Sequence, residues 1–437
     1  MPYIGQIATG ESLISLSQSK LFKEFVGEIR PAPAKKHRVL NPATVPAPTE
    51  TINTVVAIDG SIVTEIVRNG FPGAEASLVQ IAMVLIKLDK LRQKKPKEIL
   101  PPSIFNKMDS ASTVQAVLPG RNIVSATGLG PREFFRYTIY EALQGSIQDG
   151  HETLLDTYRD LFGGRDVEFR CPIDGCKDSV RSSSDVCACE KKNRLYPTDQ
   201  LRFHERFNET GPNGEAHGEV MRFLEIILLI NTLRFFLKNR DAIPLLPRTA
   251  FVFDGPLAAF GQFASIAPRV REELSRIDKE CREETGRGII LFSLIKTGQF
   301  VEHFDQIDFC PTKGPDQKFP NRTALLPPID YIHESIVFRP QDAKEWSKDT
   351  YFGRVVLYKN ASGQKMVVNT PRTTPESEDL SNVSLAAFPR IGEILGVVDR
   401  LSTYLFEGGF VPIVRAHSHA AIPLRTGGEL LKGLFDE

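Results

Sequence analysis

The sequence predicts an α/β protein: a mixed sheet with helices on its faces, plus a small insertion stapled by cysteines. Three observations predict it. Strand-like and helical stretches alternate along most of the chain. Two runs of β-branched and aromatic residues, TVVAIDGS at 54–61 and TAFVFDGP at 249–256, each end on Asp-Gly, as strands do where they stop. Four of the six cysteines crowd into Cys171–Cys189. The organisation expected is an N-terminal helix and Pro-rich connector (1–50), the first part of the core (51–165), the cysteine insertion (166–200), and the rest of the core with C-terminal helices (201–437).

Bulk composition narrows the function classes. Lys plus Arg equals Asp plus Glu, 54 against 54, which argues against a protein that grips nucleic acid by global basicity. The start, MPYIGQIATGESL, has no basic segment followed by an apolar one, so no signal peptide is expected. The most apolar stretch, FLEIILLINTLRFFL (223–237), is interrupted by Glu225 and Arg234, so no membrane span is expected. Together these predict a cytoplasmic protein.

Taken in order, LISLSQSKLFKEFV (13–26) has the spacing of an amphipathic helix, and a proline-rich connector follows. VVAIDGSIVTEIVRN alternates well enough for two strands turning at Asp-Gly-Ser, and AEASLVQIAMVLIKL (74–88) reads as a third. The basic run KLDKLRQKKPKE (87–98) is a solvated face or a phosphate-backbone contact. Residues 130–162 read as helix broken near Gly150, and TDQLRFHERFNE as a helix capped by Thr198 or Asp199. A long apolar helix follows through 215–240, then the second Asp-Gly strand, a helix near 264–285 and a buried strand at 288–296. Residues 353–369 predict a hairpin turning at Ser-Gly, and 390–406 an amphipathic helix. The last helix contains AHSHAA, with His417 and His419 just after the strand-like run PIV.

The cysteines are spaced C-x4-C, ten residues, C-x-C. Thiolates of Cys171, Cys176, Cys187 and Cys189 on two short knuckles can converge on one zinc ion, and four thiolates leave no open position, so such a zinc is structural. Cys281 and Cys310 stand alone and read as small buried apolar residues.

Asp59 and Asp254, arriving on neighbouring strands, can share a divalent magnesium or manganese ion, which prefers oxygen ligands. Glu225, embedded in the apolar face MRFLEIILLI, is expensive there without a cation or donor and is the candidate third ligand, with Glu219 weighed beside it. His417 is a candidate ligand or acid/base, and Lys296, ending a strand, a candidate phosphate contact.

The strand ending in Asp-Gly-Ser at 55–61, the strand ending in Asp-Gly-Pro-Leu at 251–257 and A-H-x-x-A at 416–420 together resemble the NurA nuclease family over roughly residues 50–425. The resemblance implies a ribonuclease H-like core, manganese-dependent cleavage of DNA, and a dimer working beside HerA, a hexameric DNA-translocating ATPase. It implies that Asp59 and Asp254 are metal ligands, Glu225 the third and His417 the late active-site histidine. Phe410 lies where the family often has a tyrosine. The cysteine insertion is similar to that of longer bacterial members. Two other readings stand beside this one: an actin-like or sugar-kinase-like ATPase, and a zinc-stapled adaptor of the ATPase with a catalytically weak acidic site.

Overall fold

The long strand that carries the first aspartate organises the molecule. The computed structural model describes residues 11–29, 40–49, 51–67, 70–88, 109–147, 150–189, 192–308, 319–339, 345–403 and 409–421. Cys310, residues 89–98 of the basic run and residues 30–39 of the connector lie outside them.

From the N-terminus come helices α1 (Glu11–Gln18) and α2 (Lys20–Glu28), then strands β1 (Ala43–Thr44), β2 (Thr54–Ile66), β3 (Glu75–Lys87) and β4 (Asp109–Pro119). Helices α3 (Pro131–Ala142) and α4 (Leu154–Leu161) lead to the hairpin β5 (Glu168–Arg170) and β6 (Ser179–Arg181). Next are α5 (Gly214–Lys238), β7 (Thr249–Asp254), α6 (Ala267–Thr285), β8 (Ile290–Ile295) and α7 (Gln299–Asp308). Then β9 (Thr323–Leu325), α8 (Ile329–Ser335), β10 (Gly353–Lys359), β11 (Lys365–Pro371) and α9 (Pro375–Glu378) follow. The described chain closes with α10 (Ile391–Leu401), β12 (Ser402–Thr403), β13 (Gly409–Phe410) and α11 (Val411–Ala420).

Nine of the described strands form one sheet in the order β1-β9-β10-β11-β8-β7-β2-β3-β4. Strands β2, β3 and β4 are antiparallel, β2 with β7 and β7 with β8 are parallel, and the remaining pairs are antiparallel. Side chains alternate between faces. Val56, Ile58, Phe251 and Phe253 pack with α3, α4, α5 and α6, whereas Val55, Ala57, Ala250 and Val252 pack with α10 and α11. Helix α5 is buried on nearly every side from Phe223 to Arg234, which accounts for its apolar circumference.

Several expectations need correction. No turn occurs at Asp59-Gly60-Ser61: β2 runs straight through, pairing Asp59 with Ala82 and Ser61 with Gln80, because β3 is equally long and the ladder outcompetes the local turn. The expected helix at 198–209 is two 3-10 turns, Pro197–Leu201 and Phe203–Glu205, separated by Arg202 in the left-handed region at φ 62°. Neither Thr198 nor Asp199 is the N-cap: that residue is Tyr196, and Asp199 is the third residue of the first turn. It accepts from Tyr196 N at 2.8 Å and holds the buried Arg136 guanidinium at 2.7 Å. Residues 13–26 form two short helices, since the Ser19 hydroxyl caps α2. Helix α10 ends at Leu401, where Ser402–Thr403 pair with Gly409–Phe410. The strand-like run PIV is the first turn of α11, where proline fits without losing a hydrogen bond. Cys281 is buried, as its isolation predicted.

The helical layer is tied by charge. Buried Arg234 reaches Glu152, Asp160 and Glu273 at 3.0, 3.1 and 2.5 Å. Burial pushes the Glu152 carboxyl up, but hydrogen bonds from Lys238, Arg234 and Thr157 outweigh it and hold it at about 2. That stabilisation is complete above the ordinary glutamate range (~4.3) and is lost as pH falls towards 2. Arg234→Met is expected to cost about 3–5 kcal/mol by stranding buried carboxylates. Urea unfolding at neutral pH reads the loss, and Glu152→Gln should flatten the acid limb of stability.

Candidate active site

Strands β2 and β7 run parallel and in register up to Ile58 opposite Phe253. The next residue on each strand is an aspartate. Parallel neighbours lie about 4.8 Å apart, so Asp59 and Asp254 arrive side by side. By alternation both project to the face covered by α11. Each accepts a hydrogen bond from the amide of its own following glycine at 3.0 Å. Gly255 sits at φ +75°, a conformation that suits glycine and turns the chain out of β7.

Two basic groups come to the same place. Lys296 follows the end of β8, two residues beyond the register partner of Asp254, and its Nζ lies 2.8 Å from Asp254 Oδ2. His417 Nδ1 on α11 lies 2.9 Å from Asp59 Oδ2. The histidine side chain is 64% exposed while that of Asp59 is 9% exposed, so the pair runs from solvent into the sheet.

Glu225 arrives from the opposite face, on α5. Gly60 has no side chain to block it: a Cβ there would collide with Glu225 Oε1 and come within 3.0 Å of Met221 Cγ. Burial pushes the Glu225 carboxyl up to about 7; Arg222 opposes the rise, and the charges of Asp59 and Asp254 add to it. Burial raises Asp59 as well, reinforced by Asp254 and opposed by His417 and Lys296. Carboxylates that raise one another are crowded like charges in a region poor in water, an arrangement common at functional sites. Glu219 lies elsewhere on α5, accepting from Gln262 N at 3.1 Å and pairing with Arg206 at 3.2 Å. Phe410 is buried edge-on against Phe292.

In chemistry the donor set of three carboxylates fits a hard divalent cation. Each carboxylate already has one oxygen on a side-chain nitrogen, from His417, Lys296 or Arg222. Among the described residues the acids do not form a group whose ligand atoms all lie within 4.8 Å of one another, whereas Cys171, Cys176 and Cys187 do. Cys176 and Cys187 Sγ stand 3.7 Å apart, and the Cys189 amide donates to Cys187 Sγ at 3.5 Å. Burial pushes the Cys171 and Cys187 thiols up. The cysteines, Val180 and Leu195 are the small core of the insertion, separate from the main clusters.

Sequence reasoning missed Arg222 and Gly60. Arg222 Nη1 lies 2.8 Å from Glu225 Oε2 and donates to Asp254 O at 2.7 Å. The available signal was its position three residues before Glu225, on the same helix face. For Gly60 the signal was only that glycine follows an aspartate. Gly60→Ala is expected to displace the Glu225 carboxylate and to cost about 1–3 kcal/mol by overpacking. Thermal melting reads the cost, and any cleavage activity should fall more steeply than stability.

No protein-family model matches the chain, and no curated protein matches it in sequence. Among solved structures, the crystal structure of the NurA nuclease from Sulfolobus solfataricus aligns over 98% of this chain and 97% of its own, at 13% identity and a TM-score of 0.33. A crystal structure of NurA with manganese aligns over 97% and 95%, at 11% identity and a TM-score of 0.24. Similarity of this degree does not establish a shared fold, and the side chains above carry the functional reading.

Proposed function

We propose that the chain is a divalent-metal-dependent nuclease that hydrolyses phosphodiester bonds of DNA. The observation that carries this reading is the pair Asp59 and Asp254 side by side on parallel strands, with Glu225 reaching them past Gly60. The strand order supports a ribonuclease H-like core: three antiparallel strands β4-β3-β2, then β7 and β8 parallel to β2, with the acids on the first and fourth strands in sequence.

Asp59, Asp254 and Glu225 would hold magnesium or manganese, which when bound supplies charge stabilisation and an activated water. The chain's own groups do the rest. Lys296, already beside Asp254, would offer its positive charge to a non-bridging phosphate oxygen. With Nδ1 donating to Asp59, His417 leaves Nε2 on an exposed ring to accept or return a proton.

In the insertion, Cys171, Cys176 and Cys187, with Cys189 as the fourth ligand, would hold a structural zinc. A three-residue hairpin with so small a core supports this, because such a unit is marginal without a staple. Zero net charge favours an enzyme that is handed DNA by a partner, and a HerA-type hexameric ATPase with a homodimer of this chain belongs to the same reading.

The test is incubation of the purified protein with linear DNA and manganese, with and without EDTA. Cleavage that EDTA abolishes supports the reading. ATP turnover without cleavage would point to the kinase-like alternative. No cleavage, even with the ATPase added, sinks the nuclease reading and leaves the adaptor.

A further inference from the structure

We infer that Arg222 is a positioning residue of the acidic site, a side chain that fixes Glu225 on one face of the sheet relative to Asp254 on the other. The inference rests on the metal-site reading above. It comes from how completely the guanidinium is used. Nη1 bonds Glu225 Oε2 at 2.8 Å and the backbone carbonyl of Asp254 at 2.7 Å, while Nη2 donates to the carbonyl of Pro256 at 2.5 Å. The guanidinium carbon stands 4.0 Å from the centre of the Phe253 ring. Arg222 therefore touches a helix side chain, the last residue of β7, the turn beyond it and the ring preceding Asp254.

Each contact has a structural purpose. Two of the three acceptors are part-buried main-chain carbonyls where β7 ends and the chain leaves the sheet, and carbonyls drawn away from water need donors. The third is the carboxylate whose placement decides whether three acids can act on one ion. A planar fork with several donors can serve three acceptors and still lie flat on an aromatic ring; an ammonium group can serve as a point charge but not in that geometry. Helix α5 is embedded in the core, so a residue that ties the Asp254–Pro256 turn to it transmits the rigidity of the core to the site. Arg222 touches no group placed to react. It acts through Glu225 and Asp254, as the hydrogen-bonded partners behind metal ligands do.

Charge alone and geometry predict different outcomes for Arg222→Lys. If Arg222 only neutralises Glu225, the lysine variant matches the wild type. If it positions, manganese affinity measured by calorimetry is expected to fall about 10–100-fold, and kcat for DNA cleavage to fall similarly, with KM for DNA little changed. Thermal melting checks that the fold is kept. Should the lysine variant melt below the assay temperature, calorimetry and cleavage are run on both proteins at a lower temperature at which the variant is folded, which keeps the comparison decisive. Wild-type affinity and kcat in the folded variant would overturn the inference while leaving the nuclease reading intact. Manganese binding by the wild type without DNA cleavage would overturn the nuclease reading, and the affinity comparison would still decide the role of Arg222. A wild type that binds no manganese overturns both.

Discussion

Asp59→Asn is expected to lower manganese-dependent DNA cleavage on the order of 10³-fold, the equivalent of about 4 kcal/mol of lost transition-state stabilisation, while leaving the protein as stable as before or more so. The second half of this expectation comes from the electrostatics. Asp59 is buried beside Asp254, and both burial and the neighbouring charge raise its carboxyl, so the charge opposes folding. The amide removes that opposition and keeps the shape. A catalytic group held at a cost to stability behaves in this way, whereas a structural carboxylate does not. Asp254→Asn should be equally inactive without that gain in stability, because it gives up the ion pair with Lys296 at 2.8 Å. Paired measurements of cleavage rate and melting temperature check both variants. A large fall in melting temperature for Asp59→Asn would show that its main role is structural.

The second large effect is expected at the cysteines. Elemental analysis of protein purified without chelator should find about one zinc per chain, and Cys176→Ser should lose most of it. Removing the metal leaves buried thiols and a hairpin of three residues per strand. The damage should travel. Arg136 on α3 donates to the Arg194 carbonyl and to Asp199 at 2.9 and 2.7 Å, so a loosened insertion unsettles the buried Arg136–Asp199 pair. Hydrogen exchange should accelerate over 166–200 first and over α3 next. A protein with no zinc and unchanged exchange after chelation would refute the zinc assignment.

The sequence shows more of the site than of the path between its parts. That two strand-like runs each lead into Asp-Gly is local information, and from it the meeting of Asp59 and Asp254 was legible, although β2 continues past Asp59 to Ile66. Lys296 was legible for the same reason, being the residue just past a buried strand. Glu225 drew notice because a carboxylate in FLEIILLI needs a partner. Which partner depends on the helix face turned towards β2, and no local pattern records that, so Arg222 was missed. The continuous course of β2 was hidden too, because it depends on the length of β3. In the 197–206 segment, helical spacing misled: Pro197, the left-handed Arg202 and the demand of Arg136 for Asp199 are satisfied by two tight turns.

A sheet is ordinarily a partition, and the packing on one side does not see the chemistry on the other. At Gly60 this partition has a window, filled by the carboxylate of Glu225. Substitutions on the core side of α5, at residues with little or no surface, can therefore alter what the opposite face does. Variants that disable the protein without touching an aspartate are most to be sought there, among Met221, Leu224 and Leu228, in a layer that looks like inert core.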